Sequence, residues 1–454
     1  MRKYFYPIVI LAFFWASCSK DEINENYKNS DQYNAQIPLI WNKFYLEIER
    51  FTPGYRPPVS ARNIAYINLA AYESIVAGSN GKYKSLTNYF TDLKLPETGD
   101  IMDLDWEVVL SSAYERSFEL FFPIAPSNTQ FQMIQLGSDL RERMQIDCSP
   151  EVFRKSVAYG EAVAQAIYTW SETDYWGHKA FLKNNDPNYL PPNGEYLWKP
   201  TYPDYAPALL PHWGKVRTFS RSEKVWAQVP PAINKDKNSA FYQEAEEIWK
   251  MVNEIKAGKH SEDKWIAEFW SDDCPILTFS PAARWISITN QLLSTENFNL
   301  MESVVAYVKV SMALSDAGVR CWSEKYKYNY LRPVDYIRQY MDDKEWNTIM
   351  CPDGSGGYYT PPFPTYPSGH ASFSGAASVV LSSIFGANYR FTDRSHEGRT
   401  EFNGTPRTFY SFKEMALENG YSRLPLGVHF RFDSEGGYDL GSRIGDNVLK
   451  LPWN

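Results

Sequence analysis

Apolar residues recur along most of this chain at the three-to-four spacing of helices. Ile64, Ile67, Ala71 and Ile75 follow Pro57-Pro58, with Ser60 as a candidate cap and Gly78 as a stop. Ser149-Pro150 opens a second run, with Phe153, Val157, Ala164 and Ile167 on one face. Helical patterns return from Ser239, another candidate cap. Val304, Val308 and Met312 lead into a helix that is predicted to run on towards Arg332. Pro333 should end it, because a proline disfavours helical geometry at the residue before it. A Gly/Pro-rich stretch, 352–367, precedes a further helix from Ala371 to about Ile384. No strand-like alternation is sustained anywhere. Between about 175 and 220 the chain is rich in Pro, Trp and Tyr and reads as a long irregular connection. The pattern predicts an all-α fold of two helical bundles with long Pro/aromatic-rich connections. Residues 38–235 form the N-terminal half with its long loop, and residues 236–454 the C-terminal bundle.

The first residues depart from this pattern and read as a targeting segment. Arg2 and Lys3 precede an apolar run over 4–15, then Ala16-Ser17-Cys18. Small residues directly before a cysteine resemble a lipoprotein cleavage site, although Trp15 stands where such sites usually carry Leu. Residues 1–18 are therefore expected to be a signal peptide ending at a lipidated Cys18, and 19–37 a polar tether. Ser19-Lys20-Asp21-Glu22 resembles the export signal of surface lipoproteins in some Gram-negative bacteria. No Asp follows Cys18 directly, which argues against inner-membrane retention. The expectation is an outer-membrane lipoprotein facing the cell surface or the periplasm, touching the membrane through its lipid alone.

Composition narrows the chemistry. Of 454 residues, 44% are hydrophobic and 22% charged, and the net charge is −8. A packed core is possible, but no basic stripe is available for a nucleic acid. An anion site must be a local cluster of positive charge in an acidic protein. Beyond Cys18 the cysteines are Cys148, Cys274, Cys321 and Cys351. An even number in an exported protein allows disulfides, but pairing is not readable from sequence. No CxxC or His-rich pattern suggests a structural zinc site.

Three segments carry candidate chemistry. Lys325-x6-Arg332-Pro333 spaces two cations by two helical turns, on one face if the helix continues. Taken alone, that is a solvated basic face. Pro367-Ser368-Gly369-His370 stands ahead of an Ala/Ser-rich helix. A helix start presents free N–H groups to an anion, Gly369 allows close approach, and Ser368 adds a hydroxyl. Taken alone, it is a helix cap beside an incidental histidine. In Ser422-Arg423-x5-His429-x3-Asp433, a helical turn would bring Asp433 to one imidazole nitrogen and leave the other for a ligand or a nucleophilic attack. Taken alone, it is a core histidine with a carboxylate partner. Together, two Arg, a Lys, a Ser, a Gly amide and two His suit a tetrahedral oxyanion with an acid/base beside it.

These three blocks, in this order and spacing, resemble the signature shared by vanadium haloperoxidases and type-2 phosphatidic acid phosphatases. Asp316-Ala317-Gly318, Trp322 and Phe363 are similar to the bacterial and chloroperoxidase-like branch. Phe269-Trp270-x2-Asp273 resembles the segment whose Asp contacts the oxyanion-binding Arg, here Arg423. The resemblance spans roughly Trp265 to Asp433; earlier it is loose, through Pro57-Pro58 and Pro211-His212-Trp213-Gly214. It implies two helical bundles with the site in the C-terminal one. It implies vanadate as cofactor, ligated by His429 and held by Lys325, Arg332, Ser368, Gly369 and Arg423. His370 would assist proton transfer. The implied reaction uses hydrogen peroxide to convert a halide into a hypohalous equivalent; the halide is not readable from these residues, and iodide or bromide is favoured over chloride for a surface enzyme.

The same residues leave an alternative open: an acid phosphatase in which His429 attacks a phosphomonoester and His370 protonates the leaving group. A surface lipoprotein that binds an oxyanion or a partner without turnover is a third reading. The long form with Trp322 and Phe363, and both histidines present, favour the haloperoxidase.

Overall fold

The computed structural model describes residues 27–272, 274, 276–352 and 358–454. The signal segment with Cys18, and Asp273, lie outside the described residues. The first half contains α1 (Gln36–Phe51), α2 (Pro57–Ile75), α3 (Trp106–Phe121), α4 (Ser127–Met144) and α5 (Pro150–Glu172). The second contains α6 (Ala240–Lys256), α7 (Ser261–Phe269), α8 (Pro281–Thr295), α9 (Leu300–Tyr328), α10 (Pro333–Tyr340), α11 (Gly369–Phe385), α12 (Phe412–Tyr421) and α13 (Arg431–Leu449). Between α5 and α6 the backbone is irregular with short 3-10 turns, as the Pro/aromatic composition predicts.

Local signals account for most helix starts. Ser149 caps α5 by accepting from Val152 N at 3.3 Å, and Ser239 caps α6 by accepting from Tyr242 N at 3.2 Å. Pro57 lies in the first turn of α2, where no N–H is needed. Arg56, not Ser60, is therefore the cap, and Ser60 is buried inside the helix. Ile64, Ile67, Ala71 and Ile75 are all fully buried.

One expectation needs correction: α9 does not reach Arg332. It ends at Tyr328, where Asn329 takes a left-handed conformation (φ 51°), and Arg332 caps the next helix with extended backbone (φ −79°, ψ 158°). Lys325 and Arg332 thus do not share a helical face. Beside the helices lies a two-stranded antiparallel ribbon, β1 (Phe391–Asp393) with β2 (Arg407–Phe409), too short to show alternation.

The helices pack as two groups that share α9. Helices α2, α3 and α5 lie against one another, and α2 also lies along α9; α11, α12 and α13 form the other group, with α11 and α13 reaching α9. One apolar core runs through both. Of the stretch expected as a tether, residues near Tyr33 already dock: Tyr33 O accepts from Leu300 N at 2.9 Å. Asp316, inside α9, ties down the irregular connection by accepting from Phe219 N (2.7 Å) and Ser220 N (2.8 Å). No described helix is long and apolar enough to cross a membrane.

Candidate active site

The site forms where the ends of α9, α10, α11 and α13 and the turn after α12 converge. Ser368 caps α11, its Oγ accepting from Ala371 N at 3.4 Å, and its own N–H donates 2.9 Å to Asp433 O. That bond ties the start of α11 to the start of α13. The two helices then run in close contact, because α13 presents glycines to α11: a Cβ on Gly437 would lie 2.6 Å from Ser368 O, and one on Gly441 2.0 Å from Ser372 O. At Gly369 an added Cβ would meet only Trp322, at 3.6 Å. Helix packing therefore does not demand glycine there, which is consistent with space kept for a ligand.

Lys325, Arg332 and Arg423 are each fully buried. Lys325 Nζ donates to Pro364 O (3.0 Å) and Thr365 O (2.9 Å) and lies 5.0 Å from the Phe363 ring centre. Arg332 donates from Nε to Phe363 O at 2.9 Å and from Nη1 to Val428 O at 2.8 Å. Arg423 reaches Trp270 O at 3.3 Å and the sulfur of Met350 at 3.6 Å. The break at Asn329 explains the convergence. Lys325 approaches from the last turn of α9 and Arg332 from the cap of α10, so the two close on Phe363 from different directions.

His429 and His370 line one small cavity with Pro57, Pro281, Trp322, Pro361, Phe363, Gly369 and Phe373. His429 Nδ1 lies 2.9 Å from Asp433 Oδ2, as the four-residue spacing predicts, and Nε2 lies 3.3 Å from Arg332 Nη1. With Asp433 accepting at Nδ1, Nε2 carries the lone pair. Burial, then Arg332, Lys325 and Arg423, hold the His429 imidazole well below its usual range. Burial, then Arg423, do the same for His370, against a hydrogen bond to the Trp270 backbone. Both rings are thus neutral near pH 7. Trp322 and Phe363 form the apolar wall, with ring centres 4.9 Å apart.

The described candidates therefore converge: Trp322, Phe363, Gly369, His370 and His429 line one cavity, while Arg332 and Asp433 contact His429, Lys325 lies against Phe363, Ser368 is bonded to Asp433, and Arg423 bears on both histidines. Thr365 was not singled out in the sequence. Its hydroxyl bonds Asp433 Oδ2 and lies 3.1 Å from His429 Nδ1. Phe430 N also donates to Asp433 Oδ2, at 3.0 Å, while Oδ1 is buried with no hydrogen-bond partner among the described residues. Burial pushes this carboxyl up, against the Thr365 hydrogen bond and the nearby cations. The only sequence signal for Thr365 was its place in the Pro-rich approach to Ser368. The role of Trp270 is carried by its carbonyl, which no side-chain motif encodes.

A wider cleft adjoins the cavity and shares Pro57, Pro361 and Phe363 with it. Its walls include Glu49, Arg50, Asp272, Ile276, Phe279 and Tyr359. Cys274, also in the wall, is bonded to Cys351, while Cys148 and Cys321 are free.

Comparison with known proteins places this geometry. Residues 305–452 match the model of the VCPO second helical-bundle domain. The chain is 25% identical to the vanadium chloroperoxidase of Curvularia inaequalis, over 90% of this chain and 81% of that protein. A shorter stretch, 19% of this chain and 17% of the relative, is 32% identical to the vanadium-dependent bromoperoxidase of Ascophyllum nodosum. Among solved structures, a bacterial vanadium-dependent iodoperoxidase is similar with a TM-score of 0.78 and 31% identity, covering 94% of this chain and 98% of that one. A holo-type bacterial vanadium-dependent chloroperoxidase shares the fold, with a TM-score of 0.65, 14% identity, and 89% and 93% covered.

Proposed function

This chain belongs to the vanadium-dependent haloperoxidases, and from that premise we propose that it uses hydrogen peroxide to oxidise a halide, iodide or bromide, to a hypohalous equivalent. The carrying observation is that two histidines line one cavity, with buried Arg332 3.3 Å from His429 and buried Lys325 and Arg423 bearing on both rings. That donor set fits vanadate. Guanidinium and ammonium groups match a tetrahedral oxyanion, the Gly369 side is open to close approach, and His429 Nε2 offers a nitrogen ligand. When bound, vanadate supplies the centre at which peroxide becomes an oxidant for halide.

The remaining chemistry belongs to the chain. His429 is held by Asp433 and Thr365 so that Nε2 keeps its aim. Lys325, Arg332 and Arg423 withdraw charge from the bound oxyanion. His370, kept neutral by burial, accepts and returns the protons that peroxide and product exchange. Trp322 and Phe363 keep the halide side dry. The 31% identity to a bacterial iodoperoxidase supports iodide.

The test is direct. Protein loaded with vanadate should oxidise iodide with peroxide, and excess phosphate should compete with loading. Hydrolysis of a phosphomonoester by the metal-free protein, with no iodide oxidation by the loaded form, would select the phosphatase instead. We further propose that the chain is an outer-membrane lipoprotein anchored at Cys18, supported by the Ala16-Ser17-Cys18 sequence. Cys18→Ala should then release it from the membrane fraction; retention of that variant would overturn the anchor.

A further inference from the structure

A halide reaching the histidine pair through the wider cleft passes a buried acid. We propose that Glu49 is an anion gate, which admits halide when its carboxyl is protonated and repels it when ionised, and so sets halide affinity as a function of pH. This rests on the proposed halide oxidation. It assigns to Glu49 no contact with the reacting atoms.

The geometry is specific. Glu49 sits near the end of α1, 4% exposed, in the wall of the cleft that shares Pro57, Pro361 and Phe363 with the catalytic cavity. Its partners are mostly neutral. Oε2 accepts from Ser280 N, the cap of α8, at 3.2 Å, and the hydroxyls of Ser280 and Ser60 (α2) also bond the carboxyl. Among the ionisable groups facing it, Tyr45 lies one turn earlier on α1, and Arg56 reaches it from the cap of α2. Two further charges line the cleft. Arg50 is engaged with Ile276 O at 2.6 Å, and Asp272 lies 3.3 Å from Arg284 and 3.0 Å from His396. Glu49 is thus the cleft carboxyl without an ion pair among the described residues.

Burial is the largest influence on this carboxyl and lifts it to about 7, with Ser280 and Ser60 pulling it partly back. Below that pH Glu49 adds no charge to the cleft wall; above it a negative charge faces the path of an anion. At roughly 8 Å and an effective dielectric of about 20, such a charge lowers anion affinity about thirtyfold. Hydrogen peroxide is neutral and feels no such term.

Steady-state kinetics of the vanadate-loaded protein decide the matter, together with iodide soaks of metal-free crystals. In the wild type, KM for iodide should rise about thirtyfold from about pH 6 to about pH 8.5. In Glu49→Gln, which keeps an acceptor for Ser280 N, it should stay near the low-pH value. KM for peroxide should change equally with pH in both proteins. Anomalous signal from iodide in the cleft should weaken at high pH in the wild type and hold in the variant. Parallel iodide profiles in the two proteins would overturn the gate. If the loaded wild type oxidises no halide, the functional reading falls, and the soaks still judge the gate. If the variant does not fold, equal iodide occupancy at both pH values in the wild type is enough to reject it.

Discussion

Two imidazoles on one cavity invite a division of labour. His429 presents Nε2 with its other nitrogen fixed by Asp433, the arrangement of a metal ligand. His370 stands at the start of α11 and bonds the backbone of Trp270, beside Arg423. His429→Ala should therefore abolish vanadate binding and turnover together. His370→Ala should keep most of the affinity and lose about 10²–10⁴-fold in rate. Vanadate titration and iodide oxidation of each purified variant separate the two, and the reverse pattern would exchange the roles. Thr365 offers a subtler test. Its hydroxyl and His429 converge on one oxygen of Asp433, so Thr365→Val leaves a buried carboxylate short of a donor, a loss of about 1–3 kcal/mol. The expected outcome is weaker vanadate binding with a changed pH dependence, restored by Thr365→Ser. A purely packing role would be rescued by Val and not by Ser. The sequence showed why Asp433 matters, through its four-residue spacing from His429. It could not show Thr365, because a threonine in a Pro-rich stretch fits any turn until its neighbours in space are known.

At the scale of elements, the motif residues were legible and the path between them was not. A seven-residue spacing suggested one continuous helix with both cations on a face. The left-handed Asn329 ends that helix instead, and Pro333 begins another. Pro333 does exclude helical geometry at Arg332, as its position implied, but a proline marks a start as readily as a stop. The break has a measurable consequence. Asn329→Gly accepts a positive φ and should retain vanadate affinity, whereas Asn329→Val resists that conformation and should loosen Arg332 from the site. Titration of both variants, beside their melting temperatures, distinguishes displacement of the site from general destabilisation. The approach of α13 to α11 was likewise hidden. Gly437 and Gly441 read as poor helix formers in sequence, yet each faces a carbonyl of α11 or its cap across a gap too narrow for a side chain.

At the scale of the whole molecule, helical periodicity predicted the fold class, while the interlocking of the two groups through α9 depended on contacts far apart in the chain. The same holds for the disulfide: four cysteines were visible, but only the fold brings Cys274 and Cys351 together across 77 residues. A closure of that length typically contributes about 2–4 kcal/mol. Cys274→Ser with Cys351→Ser should lower denaturant stability by that amount without reductant, and a null effect would show the bond to be dispensable for the fold. This bond also bears on how long the molecule survives its own product. The sulfur at the cleft wall is already oxidised as a disulfide, and the Cys321 thiol is buried behind Pro367. Met350 is as deeply buried as Cys321, but its thioether lies against Arg423 at the site itself. A hypohalous product that lingers would convert this soft contact into a polar sulfoxide beside a charge that holds the oxyanion. Working lifetime would then be limited by a single atom. Spent enzyme should carry one added oxygen on the peptide containing Met350, and Met350→Leu should complete more turnovers before failing; unmodified Met350 in fully inactivated protein would place the damage elsewhere.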